Sequence, residues 1–284
     1  MNNVGIFGLG AIGSLLTKYL KNNKTNQCFF FNRSVKTEIN IKFKGRVDSF
    51  NVKLSPIENH QLDWLIICLK EYHIRHAIPN ITKLVNDNTK VVLFQNGINL
   101  SSAYKELSKE SKLLETIIDC PIQKIKPNQF SQFKKPKITL PDIPLAKDFI
   151  KLFKNKDLEF KTTRSFIESQ WVKLIESSAM GSIQSYTRKP CIIFKEDKYL
   201  QEYVELVKEG IQVAKSNGVD INSDLTNQLL IKLKGYPENK GSSMLMDKLA
   251  GNQLELNAKI GAIIKIGERN GIDIPVTKRI RDLL

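Results

Sequence analysis

Short, nearly continuous apolar runs alternate with amphipathic stretches through the first part of the chain. Val4–Phe7, Gln27–Asn32, Trp64–Leu69 and Lys90–Phe94 read as buried strands, with helices over Ala11–Lys21 and Tyr72–Val85. Arg46–Leu54 alternates in the manner of a pair of short strands. Lys112–Asp119, Pro136–Leu140 and Leu158–Thr163 follow as strands, with a helix near Leu145–Lys154. Such alternation implies a largely parallel sheet with helices on both faces. After Thr163 the period changes. Phe166–Tyr186, Leu200–Asn217, Leu225–Lys234, Ser242–Leu249, Leu254–Asn270 and Val276–Leu284 all read as helices. In Leu254–Asn270, Leu256, Ile260, Ile263, Ile264 and Gly267 share one face, while Lys259, Lys265 and Glu268 fall elsewhere. Pro275 suits a helix start, where its missing N–H matters little. The pattern predicts an α/β domain over 1–164 with a mostly parallel sheet, followed by an all-helical domain over 165–284.

Length and composition agree with that division. At 284 residues the chain exceeds the usual size of a single core, and 41% hydrophobic content is enough for packed interiors. The first strand begins within three residues of Met1, which leaves no room for a signal peptide, and no apolar run approaches a membrane span. Cys28, Cys68, Cys120 and Cys191 lack metal-type spacing and suit small buried side chains in a reducing cytoplasm. With His60, His73 and His76 as its histidines, the chain offers no histidine-rich metal site, and no metal is expected. The formal charge of +15 is spread along the sequence without aromatic–basic interleaving. Solvated lysine faces account for it better than nucleic acid, and the field suits anionic small molecules.

The strand Val4–Phe7 runs directly into Gly8-Leu9-Gly10-Ala11-Ile12-Gly13, the GxGxxG pattern at a strand-to-helix turn. Gly8 permits the turn, Gly10 lets backbone approach a pyrophosphate, and Gly13 allows close packing of the helix. The helix N-terminus offers N–H groups and a positive dipole end to phosphates. This gives the first domain a Rossmann type. The second strand ends in Asn32-Arg33-Ser34, with no carboxylate to repel a 2′-phosphate. Arg33 can pair with such a phosphate bidentately, and Asn32 and Ser34 add donors. NADP (as NADPH) is therefore the expected cofactor, bound by 1–164.

Five segments, in order, carry a resemblance to the ketopantoate reductases (2-dehydropantoate 2-reductases). They are Gly8–Gly13, Leu69-Lys70, Gln95-Asn96-Gly97, Trp171-Val172-Lys173-Leu174, and Gly241-Ser242-Ser243-Met244 continuing through Asp247, Glu255 and Gly261. The resemblance implies an N-terminal Rossmann domain, a helical substrate domain, and a substrate held between the two. It implies NADPH-dependent reduction of a 2-keto acid, ketopantoate to pantoate, in pantothenate biosynthesis. Lys173 matches the family's catalytic lysine, and chemistry agrees, since hydride addition to a ketone needs a proton donor at the oxygen. Glu255 matches the glutamate that contacts the substrate hydroxyl and orients the lysine. Ser243 matches the serine that binds the substrate carboxylate, while Ser242 suits a helix N-cap. Asn96 and Lys70 match residues near both cofactor and substrate.

The chain departs from the family where asparagines commonly stand four and eight positions after the lysine. Ser177 and Gly181 occupy those positions, Ser177 as a substrate-side candidate and Gly181 as a point where the helix bends. The alternatives are a reductase of another 2-keto acid and a dinucleotide-binding regulatory protein without turnover. The expected partners are a small 2-keto acid and, as a homodimer, a second copy of the chain, with no nucleic acid and no membrane.

Overall fold

The computed structural model describes residues 1–34, 37–58, 60–104, 107, 112–154 and 157–284. The chain divides into two compact units, Met1–Gln95 with Asn99–Phe166, and Asn96–Ile98 with Ile167–Leu284. In chain order the strands of the first unit are β1 (Asn2–Phe7), β2 (Asn26–Phe31), β3 (Glu38–Phe43), β4 (Arg46–Asn51), β5 (Trp64–Ile67) and β6 (Lys90–Leu93). They continue with β7 (Leu113–Glu115), β8 (Ile117–Asp119), β9 (Ile122–Lys126), β10 (Gln129–Gln132), β11 (Lys137–Pro141) and β12 (Glu159–Thr163). Helices α1 (Ala11–Lys21), α2 (Ile74–Thr82) and α3 (Pro144–Ile150) accompany them.

The main sheet has the order β2-β1-β5-β6-β7 and every pair in it is parallel. Its strands read as continuous apolar runs because both faces are buried. Trp64, Ile66 and Val92 join the core that contains Leu16 and Tyr19 of α1 and Phe149 of α3. Leu65, Ile67, Val91 and Leu93, their neighbours in sequence, point into the opposite core with Ala77 and Ile81 of α2. The chain leaves β1 for β2 on one side and returns to β5 on the other. In sheets of this kind ligands usually bind at such a reversal, at the carboxyl ends of the strands, here β1 and β5.

Several expectations need correction here. The alternating stretch Arg46–Leu54 is one strand, β4, with Leu54 beyond it bridging Phe30, and its partner β3 was not foreseen. Strand Lys112–Asp119 is two strands in different sheets, β7 beside β6 and β8 beside β11. The break falls at buried Thr116, whose N–H and hydroxyl both donate to the Leu93 carbonyl. The predicted helix Tyr72–Val85 begins as a 3₁₀ turn over Glu71–His73. Two smaller sheets, β4-β3-β10-β9 and β12-β11-β8, complete the unit and contain antiparallel pairs.

The second unit is helical: α4 (Phe166–Thr187), α5 (Asp197–Ser216), α6 (Leu225–Lys234), α7 (Ser243–Leu249), α8 (Ile260–Arg269) and α9 (Pro275–Asp282). Its core gathers Trp171, Leu174, Ile175 and Ile183 of α4 with Val207 and Val213 of α5 and Ile263 of α8. Glycines let helices approach: a Cβ on Gly210 would lie 3.0 Å from Ile175 Cγ1. Pro275 opens α9, whose first N–H groups, outside the helical ladder, are satisfied from another helix. Buried Glu209 of α5 accepts from the N–H groups of Val276 (2.9 Å) and Thr277 (2.7 Å) and from Thr277 Oγ1 (2.6 Å). The largest departure is Leu254–Asn270, where the helix starts only at Ile260. Residues 256–259 form a turn in which the N–H groups of both Lys259 and Gly261 bond to the Leu256 carbonyl.

Candidate active site

In the first unit the glycine loop follows from steric necessity at two positions. Gly8 has φ +94°, in the left-handed region, and a Cβ there would meet Leu69 Cδ2 at 2.8 Å. Gly13 sits so close beneath the loop that its Cβ would lie 1.9 Å from the Gly8 carbonyl oxygen. What it permits is packing of α1 on the loop's own backbone, with Cys68 beyond the end of β5 next in line. Gly10 differs. Nothing stands within 4 Å of where its Cβ would be, so its backbone is open to close approach. Gly10 also precedes α1 without a capping side chain, which leaves the first-turn N–H groups of Ala11, Ile12 and Gly13 outside the helical ladder. Buried Leu9 anchors the loop in the core.

Asn32 has a second occupation. Its Oδ1 accepts from the Leu9 N–H at 3.0 Å, and its Nδ2 donates to the carbonyl (2.8 Å) and hydroxyl (3.1 Å) of Ser34. The residue ties the end of β2 to the glycine loop. Arg33 and Ser34 are exposed beside it. Lys70 follows β5, with its ammonium 5.9 Å from the Tyr72 ring centroid. Gln95 links the ends of two strands, donating to the Leu69 carbonyl (3.0 Å) and accepting from Tyr104 (3.0 Å).

The second unit gathers polar groups from four separated stretches. Asn96 Nδ2 donates to Glu255 Oε2 at 3.1 Å, joining residues 159 apart in sequence. Glu255 is buried, at 5% exposure. Four residues on, across the 256–259 turn, Lys259 is buried at 2% exposure and its Nζ donates to Ser243 Oγ at 3.1 Å. A single turn thus carries an acid to Asn96 and a cation to Ser243. Sequence periodicity puts Lys259 off the apolar face of a helix, but the turn ends before the helix begins and folds the side chain inward. A lysine one residue before Ile260 gives no sign of this.

Helix α4 supplies the next wall. Lys173, Ser177, Gly181 and Gln184 recur at helical spacing and form one stripe. Lys173 and Ser177 are half-buried, and the Ser177 hydroxyl donates weakly back to the Leu174 carbonyl at 3.4 Å. Helix α4 runs through Gly181 without interruption, from Phe166 to Thr187. A Cβ on Gly181 would lie 2.9 Å from Met244 Sδ, so the glycine makes room for that buried methionine. Gln184, fully buried, donates to the Lys240 carbonyl (3.0 Å) and accepts from the Ser242 N–H (2.7 Å). Ser242 in turn caps α7, accepting from the Leu245 N–H at 3.1 Å. Ser243, exposed, is held in place by this chain of contacts.

Residues 4–144 match the family model described as ketopantoate reductase PanE/ApbA, and residues 165–284 match the C-terminal model of the same family. The chain belongs to the ketopantoate reductase family. A 2-dehydropantoate 2-reductase of Caulobacter vibrioides is 24% identical over 286 residues, covering 100% of this chain and 98% of the relative. One from Pyrococcus horikoshii is 27% identical and covers 95% and 92%. Among solved structures, a dimeric ketopantoate reductase from Staphylococcus aureus superposes with a TM-score of 0.87 at 21% identity, covering 99% of this chain and 96% of that one. A D-mandelate dehydrogenase in complex with NADH and anilino(oxo)acetate gives 0.89 at 16% identity, covering 99% and 96%.

Family membership makes the chain an oxidoreductase type acting on 2-keto acids and agrees with the fold, a parallel-sheet domain followed by helices. The ketopantoate reductase motifs at Asn96, Ser243 and Glu255 all fall in the second unit, together with Lys173. Lys259 and Gln184, absent from the motif, join the same polar cluster through Ser243 and Ser242, and nothing in the sequence pattern marks them. Burial pushes the Cys28 thiol up to about 11 and the Cys120 thiol up to about 12, so neither is a nucleophile at neutral pH. Among the described residues no helix is long and apolar enough to cross a membrane.

Proposed function

We propose that the protein reduces a 2-keto acid with NADPH, and that the acid is 2-dehydropantoate. The observation that carries this reading is the Asn96–Glu255 bond, which joins two motif residues remote in sequence next to a turn that also reaches Ser243. When bound, NADPH would supply the hydride that adds to the keto carbon. The glycine loop suits its pyrophosphate, because Gly10 leaves its backbone open and α1 presents uncapped N–H groups. Arg33, exposed after β2 with no carboxylate beside it, favours the phosphorylated dinucleotide.

The protein's own groups then manage charge and protons. As the carbonyl becomes an alkoxide, the Lys173 ammonium stabilises the charge and delivers a proton to the oxygen. Glu255, fixed by Asn96, accepts a hydrogen bond from a substrate hydroxyl and keeps the cation oriented. Ser243 donates to the substrate carboxylate. Lys70 and Ser177 serve as flanking polar contacts. Residues 1–164 act as the cofactor domain and 165–284 as the substrate domain in this reading. A homodimer is the proposed assembly, supported by the dimeric Staphylococcus aureus neighbour.

A second reading, reduction of a different 2-keto acid, is favoured by one observation. Gly181 brings no side chain where the family commonly has asparagine, and buried Met244 fills the space beside it, so this position offers a substrate no polar contact. NADPH oxidation followed with ketopantoate and a panel of aromatic and aliphatic 2-keto acids separates the two. Fastest turnover with ketopantoate supports the first, and preference for an apolar acid supports the second. Binding of NADPH without turnover on any acid overturns both and leaves a regulatory protein.

A further inference from the structure

Lys259 is a cation in an unusual place. At 2% exposure its four-carbon stem and ammonium are enclosed, and an enclosed ammonium is costly unless its charge is used. Its Nζ donates to Ser243 Oγ at 3.1 Å, while Ser243 itself is exposed. An ammonium only donates, so in this bond the hydroxyl must accept. The serine proton is thereby directed away from Lys259, and the bond from Lys259 is the one hydrogen bond shown for the Ser243 side chain among the described residues. The result is a surface hydroxyl whose proton is free to donate outward, with a buried positive charge behind it.

We infer that Ser243 and Lys259 form a carboxylate-binding pair, in which Ser243 touches the anion and Lys259 polarises it from behind. Lys259 is a positioning residue, acting through the serine. The pair gives the protein its demand for an acid: a 2-keto carboxylate is held, whereas the matching ester or amide gains nothing from the buried charge. This rests on the reading of the protein as a 2-keto acid reductase. The neighbouring structure keeps the geometry firm. Gln184 holds the backbone N–H of Ser242, Met244 is packed on Gly181, and the 256–259 turn fixes the backbone of Lys259.

The test is Lys259→Met, which keeps the length of the side chain and removes its charge. The KM for a reduced 2-keto acid should rise about tenfold, as expected for loss of one charge-assisted interaction. The kcat should stay within about twofold, with NADPH affinity unchanged. For the methyl ester of the same acid the KM should not move. Equal changes for acid and ester, or no change for either, overturn the pair while leaving the reductase reading intact. If the wild-type protein reduces no 2-keto acid, the reductase reading fails, and the pair is judged by calorimetry with oxamate, an unreduced 2-keto acid mimic. Binding should weaken about tenfold in Lys259→Met, and unchanged or undetectable binding in the wild type overturns the proposal. Should Lys259→Met not fold, Ser243→Ala at the exposed partner gives the same readout, with a rise in KM confined to the acid.

Discussion

The glycine loop and the polar cluster around Glu255 each gather polar groups at one place, yet they are built in opposite ways. In the loop, every decisive contact is short-range or lies against the next strand: Gly13 beneath the Gly8 carbonyl, Gly8 against Leu69, Leu9 held by Asn32. The cluster draws on Asn96, the α4 stripe, Ser243 and the 256–259 turn, and its bond from Asn96 to Glu255 spans 159 positions. Local backbone geometry admits few residues, so the loop advertises itself. A cluster made by folding admits many side chains at each position, and its members look like ordinary polar residues until the chain closes on itself.

The largest effect separates chemistry from scaffold in the cluster. Lys173→Ala should lower turnover by roughly 10²- to 10⁴-fold, the usual contribution of a positioned proton donor. The dissociation constant for NADPH should hardly change, and near-normal turnover would remove Lys173 from its role. In the loop the matching experiment is steric. Gly13→Ala drives a Cβ into the Gly8 carbonyl and should cost about 3 kcal/mol in urea unfolding, with loss of dinucleotide binding. Gly10→Ala adds the same methyl where nothing lies within 4 Å, so its stability should stay within about 0.5 kcal/mol while dinucleotide affinity falls. Equal destabilisation by the two would contradict the assignment of a packing glycine and an approach glycine.

A smaller effect tests whether long-range polar contacts hold the helical unit in general. Glu209→Ala leaves the N–H groups of Val276 and Thr277 without their carboxylate, at a cost of roughly 2 kcal/mol by thermal or urea unfolding. Activity of the folded fraction should persist, and an unchanged midpoint would show that α9 needs no distant cap. The smallest change is confined to selectivity. Arg33→Asp should raise the KM for NADPH about tenfold and that for NADH much less, reflecting one lost charge-assisted contact. Parallel changes for both cofactors would end the preference for the 2′-phosphate.

How much the sequence disclosed follows the same division. Helix α1 begins and ends where its pattern places it, at Ala11 and Lys21, and so does α6, at Leu225 and Lys234. Each is set by its own periodicity and boundary residues. The two smaller sheets were only partly legible. β3, β9 and β10 are short, polar on one side and defined by partners elsewhere in the chain. Lys112–Asp119 looks like one strand because its apolar residues are contiguous, and only pairing with β6 and β11 divides it at Thr116. Nothing in the strand-end motif Asn32-Arg33-Ser34 signals that Asn32 also makes three hydrogen bonds within the protein.

The sequence by itself determined the parallel-sheet domain with its glycine loop, the change to helices after Thr163, and the motifs that bind the chain to its family. Each rests on chemistry confined to neighbouring residues: the period of burial, the room a glycine leaves, a run of motif residues. Tertiary structure alone decided that Lys259 is buried against Ser243, that Gly181 accommodates Met244, and that Glu255 is tied to Asn96. Burial and partnership are properties of the packed chain. A lysine on a nominal polar face and a glycine inside a helix have their meaning fixed only by what folding brings against them.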